Sequence, residues 1–334
     1  MAEKLVDRIG HFNSLSIIGM CKNAGKTTVL GRIIRELWDD GHTLALTSIG
    51  RDGEASDLVT GTKKPGIYVR EGTLTATASK LLRHCDATRE ILETTGISTP
   101  LGEVVVLRAL SDGNVQLAGP SIVRQLVRVS EIFTHFGAQK IIIDGAISRK
   151  TLCSRRLSDA TVLCTGASCG KSMDEVVEET AFFCKVLGLP PADDDALAAA
   201  LEAHPGAEAI IMEDAGTRVI AKKALSSALK AGGVRTAYIS GAASQGIMDP
   251  IATSGVDIRG VIFAVDDASK IMINRQTWEK LTLKGAQMKV LDSVNLRAVT
   301  VNPFSAYGYH FEPKEFAEKM ARATPVPVID VMRC

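Results

Sequence analysis

Short apolar runs recur along the chain, each closed by a Gly, Ser or Asp turn and usually followed by helical spacing. In the first half these are SLSIIG, HTLALTSIG, GIYV, EVVVLRAL, KIIIDGA and ATVLCTG. Unbroken apolar runs mark strands buried on both faces, and their alternation with helices predicts a largely parallel sheet. Val29, Ile33 and Leu37, flanked by Leu30 and Ile34, form the stripe of a helix over about 27–38 that stops near Gly41. A second helix is expected over 121–136. A third is expected over 173–187, where Gly188 and the pair Pro190 and Pro191 end it.

Pro190 to Asp195 is the clearest break in composition, and a boundary is drawn there. Residues 1–190 form one unit in this reading. Residues 191–334 form an α/β extension, either a second layer or a continuation of the first sheet, because AEAIIMED, VRTAYISG, IRGVIFAVDD, LRAVTVN and VPVIDVM repeat the same grammar. DDDALAAALEA reads as a helix with an acidic start.

Composition narrows the function classes. The 334 residues are 46% apolar and 23% charged, ordinary globular usage that excludes disorder and small disulfide scaffolds. Lys and Arg number 39 against 38 Asp and Glu, with only 2 Trp, 4 Tyr and 9 Phe, so neither a basic track nor a stacking platform for nucleic acid is expected. No apolar run approaches the roughly 18 residues of a membrane span, and MAEKLVDRIGHFNS lacks the apolar core of a signal peptide. No membrane association and a cytoplasmic location are therefore expected. The 7 cysteines include no CxxC pair and read as free thiols of a reducing compartment, and the histidines show no metal-ligand spacing.

The strongest motif follows the first strand. SLSIIG runs into Gly19, Met20, Cys21, Lys22, Asn23, Ala24, Gly25, Lys26, Thr27 and Thr28, then into the amphipathic helix. Strand, glycine-bearing loop, GKT and helix form a P-loop arrangement. Backbone N–H groups of the loop and the positive end of the helix hold phosphate oxygens, Lys26 reaches the β and γ phosphates, and Thr27 holds Mg²⁺. Gly19 and Gly25 are one residue further apart than usual, with Met20 at the expected place of the first glycine. A three-layer α/β/α P-loop nucleotide-binding fold with ATP and Mg²⁺ as ligands is the expectation.

KIIIDGA puts Asp144 at a strand's carboxyl end, where such a site needs a metal-side carboxylate. The second strand leads into Arg51, Asp52, Gly53, Glu54 and Asp57, and Asp52 is favoured to face the metal and position water. Arg149, Lys150, Arg155 and Arg156 follow Asp144 as either a solvated basic loop or an anion contact. A second GKS loop, Gly166 to Ser172, is read as structural or partner-facing. Its helix opens with Asp174 and Glu175, which already complement the dipole and repel a triphosphate. SGAASQG, from Ser240 to Gly246, reads as an ordinary turn, Asp266 and Asp267 as a cap, and Cys21 as an inert thiol.

The spacing from Gly19 to Gly25 with Lys26 and Thr27 is similar to the phosphate loop of dethiobiotin synthetase and its relatives in the SIMIBI branch of P-loop proteins. Asp144 in KIIIDGA falls where that family has a metal-binding acid. AVTVNPFS, a helix from about Pro313 and TPVPVIDV resemble its strand, base-reading Asn, helix and final strand, which implies that Asn302 reads adenine. The family's substrate lysine has no counterpart in TSIGRDGE, and 193–295 is longer than the family's stretch. GMCKNAGKTTVL and TSIGRDGE also resemble the smaller subunit of the lysine 5,6-aminomutase reactivase family. That resemblance implies a MutS-like ATPase subunit as partner and an adenosylcobalamin-dependent aminomutase as client. The sequence itself leaves the oligomeric state open, a homodimer included. No DxHxxG pattern occurs, so the vitamin belongs to the client.

Three functions follow as expectations. One is a Mg²⁺-dependent ATPase, slow alone, that couples hydrolysis to a partner enzyme's reactivation. Another is an ATP-dependent ligase or kinase of a small metabolite, and the third is a binding module that only retains nucleotide.

Overall fold

The computed structural model describes residues 4–50, 66–145 and 157–332. The chain divides into two units, Met1–Cys184 with Asn295–Cys334, and Lys185–Val294. This differs from the boundary drawn at 190. The first break lies nearby, but 191–334 does not stay together, since its last forty residues return to the first unit.

The first unit opens with helix α1 (Leu5–Ile9) and strand β1 (Ser14–Gly19), followed by α2 (Lys26–Asp39), β2 (Leu44–Ser48), β3 (Ile67–Val69) and β4 (Leu74–Ala78). Then come β5 (Arg89–Thr99), β6 (Gly102–Ala109), β7 (Gly113–Val115), α3 (Val123–His135), β8 (Lys140–Asp144), β9 (Ala160–Gly166) and α4 (Met173–Leu187), whose last residues from Lys185 fall in the second unit. The second unit holds α5 (Asp195–Ala203), β10 (Ala209–Glu213), β11 (Gly216–Ile220), α6 (Leu225–Ala231), β12 (Val234–Ile239), β13 (Ala243–Ser244) and α7 (Gln245–Thr253). It continues with β14 (Ile262–Asp267), β15 (Ile271–Met272), α8 (Arg275–Leu283) and β16 (Gln287–Asp292). On its return the chain forms β17 (Leu296–Asn302), α9 (Pro313–Ala323) and β18 (Val328–Asp330).

The first unit is an α/β body around a nine-stranded sheet in the order β18-β17-β9-β1-β8-β2-β4-β6-β5. From β18 to β4 all neighbours are parallel, and β6 and β5 add an antiparallel edge. The strand period of two separates the faces. Leu44, Leu46 and Ile142 point into a core with Val29, Leu30, Ile33, Ile34 and Leu37 of α2, whereas Ala45, Ile141 and Ile143 point into one with Leu126, Val129 and Phe133 of α3. A helix layer therefore covers each face. Phe133 is fully buried, and burying a side chain of that size contributes roughly 1.5–3 kcal/mol.

α2 ends where the sequence places its stop. Gly41 takes φ 78°, donates to Trp38 O at 2.9 Å, and lets His42 N reach Leu37 O at 3.1 Å. The expected helix over 121–136 is α3, and 173–187 coincides with α4. The GIYV strand does not join the large sheet but pairs with β7 in a separate antiparallel ribbon.

The second unit carries a five-stranded sheet, β11-β10-β12-β14-β16. Strands β12, β14 and β16 are parallel, and β10 and β11 extend the sheet antiparallel. Leu197 and Ala200 of α5 pack on Ile210, Met212, Tyr238 and Ala264. The acidic start of α5 behaves as expected: Asp194 accepts from Ala196 N at 3.0 Å and Leu197 N at 3.1 Å.

Candidate functional site

β1 lies inside the parallel part of the sheet, between β8 and β9, and all three release their loops at the same carboxyl edge. Open α/β sheets bind ligands at that edge. β1 is buried along its apolar length, so its last residue, Gly19, is a fixed point from which the loop to α2 departs.

Two left-handed residues shape the loop. Asn23 has φ 64°, the only non-glycine positive φ among the described residues, and Gly25 has φ 95°. Asn tolerates this region because its short amide bonds locally, and Gly has no Cβ to clash. Between them Ala24 is buried in the same core as α2, which pins the loop's middle, while Lys22 and Asn23 lie exposed. α2 then begins without a side-chain cap and without an acid in its first turn. Its positive end and first N–H groups are thus left without a side-chain acceptor, beside the exposed hydroxyl residues Thr27 and Thr28.

Lys26 turns back across the loop. Its Nζ donates to Gly145 O at 2.7 Å, and its stem lies on Gly19, where an added Cβ would meet Lys26 Cδ at 3.0 Å. Gly145 is itself fixed by its N–H to Ile17 O at 2.9 Å. Asp144, one residue earlier, sits opposite Ile17 of β1 and Ser48 of β2 at the end of β8. The lysine of the first loop and the carboxylate of the KIIID strand are therefore brought to one place. Burial pushes the Cys164 thiol of neighbouring β9 up to about 12, and Lys26 and Asp144 act on it with opposite signs as smaller effects.

The loops after β9 and β17 complete this edge. Cys21 and Cys169 form a disulfide with a Cα–Cα distance of 5.3 Å, joining the first loop to the second GKS loop. The reading of Cys21 as a lone inert thiol is corrected by this bond, as is the reading of all cysteines as free. Their 148-residue separation hides a pairing that adjacent parallel strands create. The Gly166–Ser172 loop is in turn bound to the segment after β17: Ala306 N donates to Ser168 Oγ at 3.1 Å, and Tyr309 OH lies 2.8 Å from Ala167 O. Its helix keeps its first-turn acids, and Asp174 pairs with Lys319 at 2.8 Å. This agrees with a structural role for that loop.

Asn302, at the end of β17, reaches the first loop. Its Nδ2 is 3.5 Å from Asn23 O, its Oδ1 accepts from Phe304 N at 3.1 Å, and an added Cβ on Gly25 would sit 3.3 Å from Asn302 Cβ. One amide hydrogen and one lone pair are left over by these two bonds. Gly19, Lys22, Asn23, Ala24, Gly25, Lys26, Thr27, Thr28, Asp144 and Asn302 thus gather at one sheet edge. Asp52, with Arg51, Glu54 and Asp57, lies outside the described residues, as do Arg149, Lys150, Arg155 and Arg156.

Sequence reasoning missed Cys169, the Gly145 carbonyl and Tyr309. The signal for the first was a cysteine in each of two glycine-bearing loops that follow buried strands. In the second unit, Asp267 caps the turn after β14 by accepting from Ser269 N at 2.8 Å, as its reading had it. Asp266 instead accepts from Gly241 N at 3.2 Å and from Tyr238 OH, and burial followed by that bond pushes the Tyr238 hydroxyl up to about 12. Among the described residues no cluster of His, Cys, Asp and Glu is arranged to hold a metal on its own, and no helix is long and apolar enough to cross a membrane. No family model, curated protein or solved structure matches this chain.

Proposed function

We propose that the first unit binds and hydrolyses ATP with Mg²⁺ through a SIMIBI-type phosphate loop, and that hydrolysis drives a conformational change in a partner enzyme. The observation that carries this reading is the convergence of Lys26 with the Asp144–Gly145 turn beneath an uncapped helix start. A lysine cation, a carboxylate at the next strand end and uncapped N–H groups are the set that a nucleoside triphosphate and its metal require.

The residues fit these ligands. Thr27 and Asp144 would hold Mg²⁺, which screens phosphate charge when bound. Lys26 would leave the Gly145 carbonyl for the β and γ phosphates, and loop N–H groups from Lys22 to Thr28 would surround them. Asn302 would offer its remaining amide hydrogen and lone pair to adenine. Asp52 would orient water. From the family resemblance, the partner is a MutS-like ATPase subunit and the client a cobalamin-dependent aminomutase, in a cytoplasmic setting. Nucleic acid has no part in this reading, and a homodimer is compatible with it.

Phosphate release tests it. MgATP turnover by the isolated chain should be slow and should rise when the client complex is added, while Asp144→Asn should lose on the order of 10²-fold in rate and its response to Mg²⁺. Fast turnover that ignores the partner would contradict the coupling. A metabolite that accelerates ADP formation and yields a stoichiometric new product would support the ligase or kinase instead.

A further inference from the structure

The environments of the cysteines differ sharply. Cys164 and Cys184 are buried, and burial pushes both thiols up to about 12, so neither presents thiolate at neutral pH. Cys21 and Cys169 are part-exposed and bonded to each other. They stand on the loops that leave the neighbouring parallel strands β1 and β9, whose register puts Gly19 opposite Cys164. Met20 N donates to Cys164 O at 2.8 Å and fixes the base of the first loop to β9. The sheet therefore delivers the two cysteines to each other, and the 5.3 Å between their Cα atoms lies in the range that needs no backbone movement to close the bond.

We propose that Cys21–Cys169 is a reversible thiol switch on the phosphate loop: the oxidised pair holds the loop closed to phosphate, and reduction opens it. The inference rests on the nucleotide reading above. Its physical basis is double anchoring. Cys21 is tied to the Gly166–Ser172 loop, which is itself held by Ala306 and Tyr309, and Asn23 and Gly25 lean on Asn302. A loop tied at Cys21 and held again at Asn23 and Gly25 has lost the freedom to wrap an incoming phosphate, and in this oxidised form Lys26 rests on the Gly145 carbonyl. Breaking the bond removes one anchor and leaves the strand framework untouched. In a reducing compartment, disulfides are typically transient and redox-sensing, which suits a part-exposed pair within reach of small dithiols.

The chemistry balances with a dithiol as reductant. One thiolate of the dithiol attacks a sulfur of the Cys21–Cys169 bond, forming a mixed disulfide and releasing the other cysteine as thiolate, which takes up a proton. The dithiol's second thiolate then displaces the remaining cysteine. Two protein thiols and one oxidised dithiol result. The reverse exchange, with a small disulfide as oxidant, restores the bond.

Differential alkylation with mass spectrometry, followed by calorimetric MgATP binding, tests this on the full chain. The air-oxidised protein should yield a linked Cys21–Cys169 peptide that dithiothreitol abolishes. Reduction should tighten MgATP binding about tenfold, the change expected when the closed form leaves about one molecule in ten competent. Cys169→Ser should bind like the reduced wild type in either buffer. Absence of the linked peptide, or equal or tighter binding in the oxidised form, would overturn the switch while leaving the nucleotide site standing. Absence of binding by both the reduced wild type and Cys169→Ser would overturn the nucleotide reading and the switch together.

Discussion

Replacing Lys26 by Met should abolish most ATP turnover, lowering it on the order of 10²–10³-fold, with little loss of folded structure. Met keeps the stem that covers Gly19, whose added Cβ would meet Lys26 Cδ at 3.0 Å, and removes only the ammonium that now bonds Gly145 O. Lys26→Ala removes both, so comparing the two separates charge from packing. If charge on the transferred phosphoryl group is what Lys26 stabilises, the two variants lose turnover equally, and circular dichroism with denaturant midpoints finds Met the more stable. Turnover retained by Lys26→Met would mean that the loop acts without its cation, and the phosphate reading would fall.

The second large effect is expected at Gly166. A Cβ there would lie 2.4 Å from Asn302 O and 3.0 Å from Asn302 Cβ, and the first of these is backbone that cannot swing aside. Gly166 and Asn302 are register partners of β9 and β17, so Gly166→Ala must push the two strands apart where β17 delivers Asn302 to the loop. Overpacking of this kind costs about 1–3 kcal/mol or more. The urea midpoint should fall with the slope unchanged, and ATP affinity should fall with it. Gly31, within α2, has nothing within 4 Å of an added Cβ, so Gly31→Ala should add about 1 kcal/mol of stability through helix propensity and raise the midpoint accordingly. Equal stability of wild type and Gly166→Ala would contradict the close approach of β9 and β17.

The centre of the fold was legible because its strands are buried on both faces. SLSIIG, KIIID and ATVLCTG read as continuous apolar runs, and the stripes of α2 and α3 have helical spacing. The antiparallel edge was not. β5 is a largely exposed edge strand whose pairing with β6 shifts register twice, so REILETTGIST carries no clean period of two. EVVVLRAL is a strand as read, yet it runs against β4, because apolar content does not encode direction. LRAVTVN was read as a strand too, but its place beside β9 depends on the chain returning after Val294, a matter of topology.

The site shows the same division. The loop from Gly19 to Thr28 and Asp144 were found as local signals, and they meet because β1 and β8 are neighbours. What local signals could not carry was long-range placement. Cys169 belongs to a loop set aside for its acidic helix start, and only the pairing of β9 with β1 brings it to Cys21. Asn302 entered as an adenine reader, whereas its present bonds are to Asn23 O and Phe304 N, a buttress for the loop.

ATP binding is tested most directly by a calorimetric titration of ATP with Mg²⁺ into the reduced 334-residue chain, with GTP and Lys26→Ala run alongside. Saturable binding at one site, a preference for ATP, and loss of that binding in Lys26→Ala are the expected result. Equal binding by the two proteins, or none by either, would contradict it.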